Sequence, residues 1–167
     1  MTDQAVPTMR TLHVRSYGEP AEVLRLEDVP VPSPNAGRIR VRVHACALNP
    51  ADWAVCSGFF PLPPPRGIGF DVSGTVDALG GGVADVAVGD LVFGVPDYMG
   101  YPTAGASDFA ILRVWVSVPK NLGLLEAAAL PMAYSPSMRR PRTSITRPSV
   151  SVRRPADASA VGCSSMP

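Results

Sequence analysis

Lysine is almost missing from this chain. Of fifteen basic residues only Lys120 is a lysine, and the Arg, Ala, Pro and Gly bias that goes with it fits a GC-rich coding sequence. Cysteine is scarce too: Cys46, Cys56 and Cys163 are odd in number and include no CxxC pair. That argues against a disulfide framework and against a zinc cage. No apolar run approaches the ~20 residues needed to span a bilayer, and the polar start MTDQAVPTMR lacks a signal-peptide apolar segment. A cytoplasmic protein with no membrane partner is expected.

What is present suffices for a core. The 167 residues are 46% hydrophobic with a mean hydropathy of +0.15, the size of one domain or one domain and a tail. The net charge of +1 hides an asymmetry. Residues 134–167 hold six arginines (139, 140, 142, 147, 153 and 154) against Asp157 alone, which leaves residues 1–133 at −4. The last 33 residues also carry Pro136, Pro141, Pro148 and Pro155 without hydrophobic period. They are expected to be disordered, since they bury too little apolar surface to offset ordering entropy. Without stacking aromatics or a fold motif, such a tail binds polyanions non-specifically, so no specific nucleic-acid partner is expected.

Short apolar-alternating runs broken by Gly and Pro predict an all-β, barrel-like domain. Residues 9–17 read as a first strand, with Leu12, Val14 and Ser16 on one face and His13, Arg15 and Tyr17 on the other; Gly18-Glu19-Pro20 is its turn. Residues 23–27 are a short second strand. Residues 38–48 are the clearest strand, with Ile39, Val41, Val43, Ala45 and Ala47 opposite Arg38, Arg40, Arg42 and His44. His44 falls with the exposed charges and reads as a solvated histidine. Asn49, a good N-cap, and Pro50, suited to the first helical position, then open a helical turn ending by Gly58. After the proline-rich FFPLPPP comes residues 67–83, GIGFDVSGTVDALGGGV, a buried strand turning sharply at both ends. Its interior Gly74 marks a bulge or a close backbone approach. Residues 107–118 are a last strand, and residues 123–130 (GLLEAAAL) predict a helix with Glu126 in its first turn.

NPADWAVCSG (49–58), GFDVSGTVDALGGGV (69–83), VGDLVFG (88–94) and LEAAALPMAY (125–134), in that order, resemble the medium-chain dehydrogenase/reductase superfamily. Within it they resemble the zinc-independent NADPH:quinone reductase (zeta-crystallin-like) branch. The resemblance implies a GroES-like, mainly β domain over residues 9–133, a partly open β-barrel with short helices, forming one side of a substrate cleft. The nicotinamide cofactor of that family lies on a following Rossmann domain, whose strand and glycine-rich turn are not found here. Residues 134–167 stand in its place, as out-of-frame translation or as a genuine variable extension.

Zinc-dependent relatives read Gly-His-Glu at Gly69-Phe70-Asp71 and place a cysteine at Asn49. Phenylalanine cannot ligate a metal and an amide does so poorly, so no zinc is expected. A small buried hydrophobe is the expected role of Cys46. Polarising a carbonyl then falls to hydrogen-bond donors. Asn49, Asp52 and Trp53 are the cleft candidates. Each has a plainer alternative: Asn49 as a cap only, Asp52 as support for the first helical turn, Trp53 as core packing, the last the preferred reading of that residue. Where many quinone reductases carry Tyr-Ile-Arg, this chain has Ala54-Val55-Cys56.

The expected function is the substrate-side domain of an NADP(H)-dependent, zinc-independent oxidoreductase acting on a quinone or enone. Alone it is expected to be inactive and not to bind NADP(H), because the triglycine 80–82 follows a strand without opening a helix. No residue of this chain is assigned to the cofactor. A homo-oligomer is implied for full-length relatives. The competing reading is a non-catalytic interaction module or truncated pseudoenzyme.

Overall fold

The computed structural model describes residues 6–60 and 62–134. Among the described residues, seven strands and four short helices make a mainly β domain. Four of the strands are β3 (Ile39–Ala47), β5 (Asp71–Leu79), β6 (Leu91–Pro96) and β7 (Phe109–Ser117), all paired antiparallel in a ladder that closes on itself. A separate sheet in the order β2-β1-β4 flanks this barrel, built from β1 (Thr8–Val14), β2 (Leu24–Pro30) and β4 (Arg66–Gly67). The expected barrel with short helices is therefore present, its four strands lying between Ile39 and Ser117. The expected disordered tail falls, apart from Tyr134, outside the described residues.

The strand alternation sets the barrel core. Ile39 and Val41 of β3, Val72 and Val76 of β5, Val92 of β6 and Leu112 of β7 pack together with almost no exposure. The arginines between them turn outward and are partnered: Arg40 bonds Asp77 at 2.6 Å, and Arg42 stacks on Phe109 at 4.8 Å. The register of β3 on β5 steps twice, once beside Arg40 and once at His44, which stays exposed. The second step lies against Gly74, as its position in the sequence predicts. A Cβ there would sit 2.1 Å from the Arg42 carbonyl oxygen, so only glycine allows this approach. Such bulges add the twist that closes a small barrel.

Several local expectations are corrected. Pro20, read as the last residue of a turn, and Val23, read as the first of a strand, are instead the two ends of the helix α1 (Pro20–Val23), with proline at its start as the first turn allows. The second strand begins one residue later than predicted and runs to Pro30; it is an edge strand, where a missing N–H is tolerated. His13, on the same alternation face as exposed Arg15, is buried, with Nδ1 3.1 Å from Glu27 of the neighbouring strand. The predicted helix over 123–130 stops after one turn. It is α3 (Leu124–Ala127), followed by α4 (Pro131–Tyr134), since Pro131 has no N–H to continue it. No helix among the described residues is long and apolar enough to cross a membrane.

Candidate active site

The helix α2 (Pro50–Cys56) begins where β3 ends, and its first turn carries the polar site. Asn49 occupies the N-cap in extended conformation, as predicted. Asp52, three residues on, turns its carboxylate back: Oδ2 accepts the Asn49 backbone N–H at 2.6 Å. This is the return half of a capping box, which satisfies a helix-end donor that would otherwise be buried and unpaired. Oδ1 of Asp52 accepts the Gly69 N–H at 2.5 Å, fastening α2 to the approach to β5. Gly69 holds φ at 95°, and a Cβ there would lie 2.4 Å from the Cys46 sulfur, so this corner requires glycine twice over.

Asp71, the first residue of β5, completes the cluster. It is 2% exposed, and both oxygens are engaged. Oδ2 accepts Nδ2 of Asn49 at 2.9 Å, and Oδ1 accepts the Met132 backbone N–H at 2.7 Å. Two strand residues on, the Ser73 hydroxyl donates to the Leu124 carbonyl, so β5 grips both α3 and α4. One asparagine thus links two buried aspartates through its backbone and its side chain. Burial pushes both carboxyls above the ordinary aspartate value of 3.8, against the pull of the donated hydrogen bonds. The Cys46 thiol beside them is pushed up to about 12, by burial first and by the two negative charges second. It is half-buried, not the fully buried group expected, and a poor nucleophile.

Trp53 corrects its expected role. Asp52 and Cys56 share the inward face of α2, and Trp53 lies on the next face round, 57% exposed. It lines a shallow groove of about 200 Å³ with Leu48, Asn49, Asp52, Ile68 and Leu24. The structure therefore brings Asn49, Asp52 and Trp53 to one place. Sequence reasoning missed Asp71 as their organiser. The signal available was its unpaired acid in an otherwise apolar strand start.

It also missed an aromatic wall on the far side of Gly69. Phe59, Phe60, Phe70 and Tyr98 follow one another with ring centroids 6.2, 6.1 and 4.9 Å apart, from exposed Phe59 through buried Phe70 to half-buried Tyr98. Arg66 fixes the far loop by donating to the carbonyls of Tyr98 and Tyr101. The Phe-Phe pair inside a proline-rich loop and the tyrosines of loop 97–106 were the visible traces. Among the described residues no group of three or more metal-ligating side chains gathers.

Residues 35–123 match the family model of the alcohol dehydrogenase GroES-like domain. The chloroplast envelope quinone oxidoreductase homolog of Arabidopsis thaliana is 36% identical over 131 residues, which cover 75% of this chain and 39% of that protein. The structure of the quinone oxidoreductase from Coxiella burnetii aligns with a TM-score of 0.69 at 30% identity, over 76% of this chain and 42% of that one. A mycobacterial protein complexed with NADPH aligns with a TM-score of 0.64 at 31% identity, over 72% and 37% of the two chains. This chain spans about two fifths of the length of such relatives.

Proposed function

Since the chain belongs to the alcohol dehydrogenase GroES-like domain family and its homology is to oxidoreductases, we propose that residues 9–133 form the substrate-side half of an NADP(H)-linked, zinc-independent reductase of quinones or enones. The observation that carries this reading is the state of the corner where zinc-dependent relatives place their metal ligands. There Asn49 and Phe70 stand, and every acidic oxygen nearby is already committed to an N–H.

NADP(H) would supply the hydride in such a reaction. The described residues do not fit its pyrophosphate. The triglycine turn packs back on the barrel, Gly80 N–H on the Arg38 carbonyl at 2.8 Å, and leads into a loop with no helix. A phosphate needs the N–H groups of a helix start, which that turn lacks. No step is therefore assigned to the cofactor. The chain's own residues have two tasks. Trp53 and the aromatic wall offer flat apolar surfaces for a planar ring. The second amide hydrogen of Asn49, beside the one given to Asp71, is a donor for a carbonyl oxygen that gains negative charge as it is reduced.

The test is turnover. The full chain alone is expected to oxidise no NADPH in the presence of 1,4-naphthoquinone. Joined in frame after Ala133 to the dinucleotide-binding half of a quinone oxidoreductase, it is expected to do so. Turnover by the unextended chain would contradict the half-enzyme reading. An inert but folded chimera would favour a non-catalytic interaction module instead.

A further inference from the structure

We propose that Asp71 is a positioning residue: by accepting one amide hydrogen of Asn49 and the backbone N–H of Met132, it fixes the Asn49 carboxamide at the groove and ties the groove to α4. This deepens the function proposed above and rests on it for the substrate, but the anchoring itself stands on the geometry alone. An asparagine at a helix N-cap ordinarily turns its oxygen toward its own helix. Here that half of the capping box is kept, and the amide nitrogen in addition reaches 22 residues along the chain, to the start of β5, at 2.9 Å. Asp52 supplies the reciprocal half of the box, its carboxylate accepting the Asn49 backbone N–H, so the residue is held at backbone and side chain together.

A carboxylate with two donors on two oxygens cannot rotate without breaking one bond. Asp71 is 2% exposed, so neither donor could turn to water in exchange. Its fixed plane therefore sets the plane of the Asn49 amide. The second N–H of that amide is then held at the groove that Trp53 and Leu48 line. The other Asp71 oxygen holds the first turn of α4, the last described element before residue 135. A shift of α4 relative to β5 would turn the Asn49 amide with it. The same side chain thus sets donor direction and ties it to the placement of α4.

The test is NMR on the isotope-labelled full chain, free and with 1,4-naphthoquinone as the probe. In the free wild type the two Nδ2 protons of Asn49 are expected to be resolved. The one on Asp71 should exchange about tenfold more slowly than those of exposed Asn35, and the Met132 amide should be similarly protected. In Asp71→Asn, with the rest of the spectrum unchanged, the Asn49 pair should lose that protection and Met132 should exchange about tenfold faster. The probe should shift the Asn49 amide in the wild type but not in Asp71→Asn, while shifting the Trp53 indole in both, which a purely structural role would not produce. An Asn49 amide unprotected in the wild type overturns the proposal even if the variant fails to fold. So does an equal Asn49 response to the probe in both proteins. If the probe moves no resonance, the quinone reading fails, and the free-protein exchange still decides the anchoring.

Discussion

The barrel interior and the corner where α2 meets β5 are equally buried and are held together by opposite means. Ile39, Val41, Val72, Val76, Val92 and Leu112 are 0–1% exposed and contribute no side-chain polar atom. Asp71, next to Val72 in the chain, and Asp52 are 2% and 4% exposed, and each carboxylate oxygen accepts an N–H of defined direction. An apolar interior gains stability in proportion to area and tolerates any side chain of similar volume. A buried polar network gains little net stability and fixes atoms in place instead. The first region explains why the domain folds. The second is where a donor can be aimed at a substrate.

Substitutions should separate the two regions by size of effect. Leu112→Ala removes a fully buried side chain from the barrel and should cost about 2–5 kcal/mol in urea unfolding, with little change in the groove. Asp71→Asn keeps the volume but presents an N–H to one of two buried donors, and should cost about 1–3 kcal/mol. The pH dependence sharpens the contrast. The folded carboxyls of Asp52 and Asp71 are raised above 3.8, so the native state holds more protons than the unfolded chain. Their contribution is fully present below that value and declines as pH rises through the folded ones. The stability gap between wild type and Asp71→Asn should therefore narrow from pH 4 to pH 7. Asp108, lowered by its hydrogen bonds to Arg10, works in the other direction and is lost on acidification.

The division also explains what was legible in the sequence. Alternation gave β3 and β7 to within two residues, because a half-buried strand writes its faces into every second position, whereas the strand expected over 67–83 is four residues shorter at each end. It did not separate buried His13 from exposed Arg15 on the same face, since burial there depends on what packs on the sheet and not on the alternation. Asn49 and Asp52 were visible through the spacing of a helix cap. Asp71 was not, because its partners come from α2 and α4 and no local pattern joins positions 49, 71 and 132. Trp53 was misjudged because one residue of offset on a short helix moves a side chain from the core face to the groove.

Smaller effects follow at the margins of the corner. Cys46, pushed up to about 12, should be alkylated by iodoacetamide at pH 8 far more slowly than a free thiol, as read by mass spectrometry of its peptide. Trp53→Ala, at an exposed position, should change stability by no more than about 0.5 kcal/mol. It should still weaken naphthoquinone binding, which would mark Trp53 as a contact surface and not a support.

The central claim is that this chain presents the substrate side of a reductase and not its cofactor side. Calorimetric titration of the full chain with NADPH and, separately, with 1,4-naphthoquinone tests it most directly. The association cost is at least ~4 kcal/mol, and a few polar contacts worth ~1 kcal/mol each do not offset it for a dinucleotide without a phosphate site. The account predicts weak saturable binding of the quinone and none of NADPH. Saturable micromolar binding of NADPH by this chain would contradict it.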